Sequence, residues 1–93
     1  MNPCCCEVTT ANAGPDQAVA VNYATLAGNS PTIGCGLWTV VSGGGTFSNR
    51  KKYNTRVTGL SLGVNVFRWR ISLDCKDCPC AEYSEDTVSI TYA

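Results

Sequence analysis

Cysteine is the residue type with the most chemistry to offer in this chain. Seven cysteines occur in 93 residues. Three are consecutive in an N-terminal arm, three share one short polar stretch and one lies between glycines: Cys4, Cys5, Cys6, Cys75, Cys78, Cys80 and Cys35. An odd number leaves at least one thiol without a disulfide partner inside a monomer. Adjacent cysteines also pair poorly, because a disulfide needs Cα atoms about 4.4–6.8 Å apart. The arrangement therefore favours cross-links between segments or chains over catalysis.

Three roles for these thiols are consistent with the sequence. The first is disulfide linkage between subunits, in which arm cysteines of one chain pair with late-loop cysteines of the next and Cys35 is an extra or internal partner. The second is internal stapling of a small secreted domain. The third is a structural zinc site made by Cys75-x-x-Cys78-x-Cys80 and one arm thiol, since four thiolates suffice for zinc. We favour the first role and expect neither a metal nor another cofactor.

The other residue types offer little catalytic chemistry. The chain has no histidine, which excludes Ser-His-Asp and Cys-His catalysis. The acidic residues fall in predicted arms, turns and loops, where we interpret them as solvated charge: Glu7, Asp16, Asp74, Asp77, Glu82, Glu85 and Asp86. We therefore predict that the protein is not an enzyme.

Charge and hydropathy argue against two classes of partner. Seven basic residues balance seven acidic ones, and no basic patch with interleaved aromatic residues occurs, so we expect no nucleic acid partner. No apolar run approaches the about 20 residues of a membrane helix. Residues 1–6 have neither the basic nor the apolar region of a signal peptide, so the chain itself specifies no export route.

Alternation of apolar and polar residues with period two indicates strands, and no stretch has helical periodicity. The predicted strands are 8–11, one broken or two short strands in 19–26, then 36–41, 56–58, 65–72 and 87–92. The alternation assigns these side chains to the core: Trp38, Phe67, Trp69, Val88 and Ile90. It also puts Val40 on the same face as Trp38. Core packing is favoured over sugar stacking for the two tryptophans.

Turn residues separate these strands. Gly14-Pro15-Asp16 predicts a turn, and Gly43-Gly44-Gly45 predicts a flexible hairpin connection. About seven short strands with turn signals every 8–12 residues are typical of a two-sheet sandwich. We therefore predict an all-β, antiparallel, immunoglobulin-like sandwich over residues 11–93, preceded by a flexible cysteine-rich arm over residues 1–10.

Five segments carry a family resemblance. They are Ala13-Gly14-Pro15-Asp16-Gln17, Ala24-Thr25-Leu26-Ala27-Gly28-Asn29, Trp38-Thr39-Val40-Val41-Ser42-Gly43, Val57-Thr58-Gly59-Leu60 and Asn65-Val66-Phe67-Arg68-Trp69. In this order and spacing they resemble the PKD-like, immunoglobulin-like repeats of large secreted surface proteins in Bacteroidota-type bacteria. The resemblance covers roughly residues 11–93 and implies a spacer or adhesion module without catalytic residues.

Two features depart from that family. Its members often carry an early cysteine, near the position of Ala20, that pairs with one in the late loop, and this chain lacks it. The Cys4-Cys5-Cys6 arm is also foreign to the family, and it loosely resembles the cross-linking arms of endospore-appendage subunits. In an immunoglobulin-like topology, residues 28–36 and 73–85 form loops at the pole from which the arm emerges. Residues 1–7 of the arm, about 20 Å long when extended, could therefore reach Cys35 and the late-loop cysteines.

From these patterns we predict a structural subunit that self-assembles into an extracellular filament, fibre or surface layer. Its partners are copies of itself, and disulfides join the arm of one copy to the late loop of another. The alternatives are a monomeric adhesion or spacer module of a larger surface protein, with a surface glycan or protein ligand, and a decoration protein of a phage particle.

Overall fold

The computed structural model describes residues 8–73 and 83–93, and every regular element in these ranges is a β-strand. The strands are β1 (Gln17–Val19), β2 (Tyr23–Thr25), β3 (Cys35–Ser42), β4 (Thr46–Phe47), β5 (Arg56–Thr58), β6 (Gly63–Ser72) and β7 (Tyr83–Tyr92). The described ranges contain no helix with the length and apolar character to cross a membrane. The predicted all-β sandwich is confirmed.

A four-stranded sheet forms one layer, in the order β1-β7-β6-β3. The long strand β6 is antiparallel to both of its neighbours, whereas β1 runs parallel to β7. Phe67, Trp69 and Ile71 project from β6 into the core and are fully buried, while Arg68 and Arg70 project from the outer face. The period-two pattern therefore gave the correct face for each of these side chains.

A smaller sheet forms the second layer, in the order β2-β5-β4. Its strands are only two or three residues long, and Val57 of β5 is fully buried against the larger sheet. Phe47 of β4 joins the aromatic core, with its ring centroid 6.3 Å from that of Trp38 and 5.6 Å from that of Phe67. Side-chain packing between the layers thus compensates for the few ladder hydrogen bonds of this sheet.

The predicted core is confirmed for all five assigned residues, which are at most 2% exposed. The ring centroids of Trp38 and Trp69 are 5.0 Å apart. The indole N–H of Trp38 donates to the carbonyl of Lys52, so this buried ring leaves no donor unsatisfied. Val40 is on the same face as Trp38, as predicted, since it is opposite the core residue Phe67, yet it is 41% exposed. It lies on the edge strand β3, next to a register irregularity between Val40 and Ser42.

The predicted strand over residues 8–11 is wrong, since residues 8–16 contain no strand. Backbone donors of this segment bond to side chains and to the loop carbonyl of Ile33 instead of to a ladder. Ala11 N donates to Oγ of Ser84, and Ala13 N donates to Oδ2 of Asp86. The segment still packs in the sandwich, because Ala11 and Ala13 are buried.

The predicted hairpin at Gly43-Gly44-Gly45 is also wrong. Strands β3 and β4, on either side of these glycines, belong to different sheets, so the glycines carry the chain across the sandwich. Gly43 has φ 81°, in the left-handed region that favours glycine. A Cβ there would also collide with the side chain of Asn65.

The two ends of the sandwich have different chemistry. One end of the sandwich contains Cys35, the last residues of β6 and the first residues of β7, and we call it the cysteine pole. The opposite end, formed by loops 20–22, 43–45 and 59–62 with Ala93, we call the uncharged pole. Strand β7 connects them with ten residues, a span of about 30 Å. Val8 lies against Gly34 at the cysteine pole, and Ala93 N donates to the carbonyl of Val19 at the other.

Candidate assembly site at the cysteine pole

Cys35 is the first residue of β3 and lies on the exposed outer face of the larger sheet. It is opposite Ser72 of β6, which is in turn opposite Tyr83 of β7. Cys35 is disulfide-bonded, and its partner lies outside the described residues. So do all the other cysteines: Cys4, Cys5, Cys6, Cys75, Cys78 and Cys80. Their predicted cross-linking role therefore stays a prediction.

The N-terminal segment is fixed to this pole by Thr9. The backbone N of Thr9 donates to the carbonyl of Ile33 over 3.0 Å. Its Oγ1 accepts hydrogen bonds from the backbone N of Thr32 at 2.9 Å and of Ile33 at 2.7 Å. Three hydrogen bonds thus hold Thr9 beside the loop that leads into Cys35.

Both cysteine-bearing segments are joined to described residues at this pole. Residues 1–7 lead into Val8, and residues 74–82 connect Leu73 to Tyr83. Since neighbouring strands lie about 4.8 Å apart, the row from Cys35 through Ser72 to Tyr83 spans about 10 Å. Val8, Leu73 and Tyr83, which flank the two cysteine-bearing segments, thus lie at one pole, as the predicted topology requires.

Charged and aromatic side chains cover the outer face next to Tyr83. The guanidinium of Arg70 lies 4.1 Å from the centroid of the Tyr83 ring. Glu85 Oε2 lies 3.8 Å from Nε of Arg68 and 3.7 Å from a terminal nitrogen of Arg70. These ion pairs are partly exposed and contribute about 1 kcal/mol at most. They lie on the outer face of β6 and β7, beside the pair Ser72 and Tyr83.

Two of the acidic residues are not in loops, contrary to the sequence interpretation. Glu85 and Asp86 belong to β7, and Asp86 accepts the hydrogen bond from Ala13. Asp16 also has a structural role, since its Oδ1 accepts from the backbone N of Ser89. In residues 8–73 and 83–93, no three His, Cys, Asp or Glu side chains are grouped as metal ligands. The zinc alternative concerns cysteines outside these ranges.

Asn29 connects the N-terminal segment to the core, a role that the sequence analysis missed. Its Oδ1 accepts from the backbone N of Asn12 at 2.8 Å and from the indole N–H of Trp69 at 3.1 Å. Its Nδ2 donates to the carbonyl of Thr10 at 2.8 Å. One amide thus joins the segment after the arm to a buried tryptophan.

Replacing Asn29 with alanine is expected to lower the free energy of unfolding by about 1–3 kcal/mol. The Asn12 amide and the Thr10 carbonyl lose their partner, and the Trp69 indole keeps only the backbone carbonyl of residue 29. Amide hydrogen exchange of residues 9–14 should accelerate more than that of β6, because the segment loses its tether. The control is Ser30→Ala, which changes an exposed neighbour. Equal exchange in the two variants would contradict the tethering role.

Comparison with solved structures supplies the family of the fold. The chain matches the solution structure of the PKD domain from the KIAA 1837 protein with a TM-score of 0.62 and 26% sequence identity. The match covers 89% of this chain and 86% of the other. This chain has a PKD-like fold. No protein-family model and no curated protein matches it.

The PKD-like fold agrees with the resemblance carried by the five sequence segments. Domains of this kind are typically non-catalytic modules, and they commonly occur in extracellular or surface proteins. The Bacteroidota-type context of the resemblance stays a prediction.

Proposed function

We propose that this PKD-like domain is a structural subunit of an extracellular or cell-surface assembly, in which disulfides at the cysteine pole join copies of the chain. The observation that carries the proposal is the meeting of three chain segments at one pole. The residues that follow the arm, the start of β3 with Cys35, and the paired ends of β6 and β7 all lie there.

Cysteine number supports linkage between copies. Cys35 is disulfide-bonded. If its partner is one of the six other cysteines of the same chain, five remain from the total of seven. Five thiols cannot all pair within one chain. Linkage to a second copy would pair the remaining thiol, and such links would give a small domain durability that its modest core cannot supply.

Chain length restricts how two linked copies can be arranged. Cys4 precedes Val8 by four residues, so its Cα lies at most about 14 Å from that of Val8. The opposite pole is about 30 Å away along β7. The arm of one copy therefore reaches the late loop of another only if their cysteine poles are adjacent. Head-to-tail stacking cannot produce arm-to-loop disulfides.

Two complementary variants test the linkage. One replaces the arm cysteines with serine (C4S/C5S/C6S), and the other replaces the late-loop cysteines (C75S/C78S/C80S). Under mild oxidation we expect the unaltered chain to give covalent oligomers on non-reducing gels. Each variant alone should give few or none, and an equimolar mixture should give a heterodimer with an arm-to-loop disulfide in its peptide map.

The mixture separates arm-to-loop linkage from its alternatives. Monomers in the oxidised, unaltered chain would contradict the proposal and favour internal stapling. Covalent dimers of the arm variant alone would show loop-to-loop pairing instead. Variants of different mass make the heterodimer directly visible, and treatment with a reductant provides the control for covalency.

A second candidate function is a spacer or adhesion module of a larger surface protein. Its support is the position of Val8 and Ala93 at opposite ends of the sandwich, which suits domains joined in series. This candidate expects a monomer under oxidising conditions, so the same gels distinguish the two functions.

A further inference from the structure

Basic side chains are concentrated in one loop of this protein. Residues 17–73 contain six of the seven basic side chains and no acidic one. We call residues 48–56, which connect β4 to β5 and include the first residue of β5, the basic loop. Four of the six basic side chains lie in this loop, and all four are exposed: Arg50, Lys51, Lys52 and Arg56.

The acidic side chains with known positions lie elsewhere. Glu85 pairs with arginines of β6, whereas Asp16 and Asp86 accept hydrogen bonds from backbone amides. The basic loop runs along the side of β3 that faces away from β6, where Trp38 N donates to the carbonyl of Arg50 at 2.7 Å. In the part of the chain that the structure describes, no acidic side chain forms an ion pair with the basic loop.

Hydrogen bonds to the core fix the shape of the basic loop. The carbonyl of Lys52 accepts from the indole N–H of the buried Trp38 at 3.1 Å. Within the loop, Asn49 Oδ1 accepts from Lys51 N at 3.1 Å, and the carbonyl of Asn49 accepts from Lys52 N at 3.0 Å. Arg50, Lys51 and Lys52 thus make these bonds with backbone atoms only. A surface that is ordered before binding loses less conformational entropy when it binds a ligand.

Two open hollows adjoin each other at the basic loop, with volumes of about 500 Å³ and about 480 Å³. Ser48 and Asn49 line both of them. Each hollow is also lined by two cations, which are Arg50 and Lys51 in the first hollow and Lys52 and Arg56 in the second. Two adjoining pairs of cations without acidic neighbours favour a ligand that carries more than one negative group.

The neutral residues of the hollows indicate what else the ligand contains. Most of them are hydroxyl or amide side chains, namely Thr46, Ser48 and Asn49 in the first hollow and Thr25, Ser48, Asn49, Asn54 and Thr55 in the second. Hydroxyl and amide groups both donate and accept hydrogen bonds. A sugar ring presents many hydroxyl groups, which also donate and accept. The hollows therefore combine groups that bind sugar hydroxyls with groups that bind anions.

Two other kinds of polyanion fit the hollows less well. An acidic peptide would add as a strand to a sheet edge, but the edge strand β4 has only two residues. A single-stranded nucleic acid needs aromatic rings on which its bases stack. The Phe47 ring packs in the aromatic core, Arg56 lies over the Tyr23 ring at 4.4 Å, and Tyr53 lines neither hollow.

We propose that the two hollows bind an acidic polysaccharide, which is a chain of sugars with carboxylate or sulfate groups. Its negative groups contact the cations of the basic loop, and its hydroxyl groups bond to the hydroxyl and amide side chains. Adjoining hollows suit successive acidic sugars of one chain. This inference goes beyond the proposed function and does not rest on it, because no cysteine lines either hollow.

The test compares two double variants of the 93-residue chain. Lys51→Gln/Lys52→Gln removes one cation from each hollow and keeps the backbone atoms that hold the loop. The control, Arg68→Gln/Arg70→Gln, removes the same charge from the outer face of β6. Because the two variants have equal net charge, a difference in binding reports where the charge lies on the surface.

Calorimetry at low salt, with a reductant present, uses three polymers as probes. Polygalacturonate carries carboxylates, dextran sulfate carries sulfates, and unmodified dextran is neutral. The unaltered chain should bind one or both acidic polymers but not dextran, and the tighter of the two identifies the preferred anion. The Lys51→Gln/Lys52→Gln variant should weaken this binding about tenfold or more, because each lost charge-assisted hydrogen bond is costly. The control should change it less than about threefold.

Nuclear magnetic resonance of the unaltered chain provides a measurement that needs no variant. Addition of a short oligogalacturonate or a sulfated oligosaccharide should shift the amide resonances of residues 46–56. The resonances of β7, which β6 separates from β3, should stay constant. Added salt should reverse the shifts, because the contacts are between exposed charges.

The remaining outcomes contradict the inference. Failure of both acidic polymers to bind, or equal losses in the two double variants, would overturn a site at the basic loop. Tighter binding of polyglutamate or of a single-stranded DNA oligonucleotide than of either polysaccharide would overturn the assignment to sugars. All these results leave the disulfide linkage untouched, whereas polysaccharide binding by a chain that forms no covalent oligomers would overturn the linkage alone.

Discussion

Replacement of Asn65 by alanine is expected to lower the free energy of unfolding by about 3–4 kcal/mol. Asn65 is fully buried, and its amide makes five hydrogen bonds with backbone groups of Gly44, Ser61, Gly63 and Ile90. Alanine would remove these bonds, of which the one to Ile90 is buried and the others are partly buried. Each group left without a partner costs about 1–3 kcal/mol where water cannot enter. The fold tolerates little of this, because domains of this size are stable by only about 5–15 kcal/mol.

Thermal and denaturant unfolding measure this effect. The melting temperature should fall by about 12 °C or more, given about 4–8 °C per kcal/mol for a domain of this length. The control is Asn54→Ala, which removes an exposed amide and should change stability by less than about 0.5 kcal/mol. A similar small change for Asn65→Ala would mean that water or a loop shift satisfies the exposed groups.

Asn65→Asp adds a sharper comparison. Aspartate keeps the oxygen that accepts from Gly44 and Ser61 but loses the Nδ2 donor. A carboxylate oxygen would then face the carbonyls of Ser61, Gly63 and Ile90. We expect this variant to be at least as unstable as the alanine variant at neutral pH, because a buried charge without donors is costly. Loops 43–45 and 59–62 should lose their shape first, because Asn65 ties both of them to β6.

The role of Asn65 had a signal in the sequence. Period two places Asn65 on the same face of β6 as Phe67 and Trp69, and a polar side chain on a core face must find partners. Which partners it finds could not be predicted, because they belong to loops that approach β6 only after the chain has folded. The same holds for Asn29, whose partners are separated from it by up to 40 residues.

The strands were predictable to different degrees for a physical reason. Strand β6 buries every second residue from Asn65 to Ile71, and β7 does so at Val88 and Ile90, so these patterns are visible without a structure. The two-residue strand β4 is too short to have a period. Residues 8–11 have strand-like composition, but Ala11 N donates to the side chain of Ser84 and Thr9 N donates to the carbonyl of Ile33 in a loop. No local pattern reveals these partners.

The two poles also differ in how far the sequence could predict them. Strand order alone puts the start of β3 and the ends of β6 and β7 at one pole, and the described chain has this arrangement. The uncharged pole was not predicted, because its residues lie in four separate segments between positions 20 and 93. Only the topology brings these segments together, and only then does their shared lack of charge become a surface property.

A methyl group at Gly36 is expected to destabilise the protein by about 3 kcal/mol. Gly36 is buried in β3, and a Cβ there would collide with the six-membered ring of Trp69. Trp69 cannot easily move aside, since its ring packs on Trp38 and its indole N–H donates to Asn29. The backbone at Gly36 has no positive φ, so the cost of Gly36→Ala comes from lack of space alone.

Gly59→Ala is the matched control for this prediction. Gly59 has φ +70° and nothing within 4 Å of an added Cβ, so alanine there pays only for backbone strain, about 1 kcal/mol. Chemical denaturation of both variants should rank Gly36→Ala as the more unstable. A double variant with Trp69→Phe should then lose less stability than the sum of its two changes, because the smaller ring leaves room for the methyl group. Simple additivity would instead mean that the cost of Gly36→Ala comes from a contact other than that with the Trp69 ring.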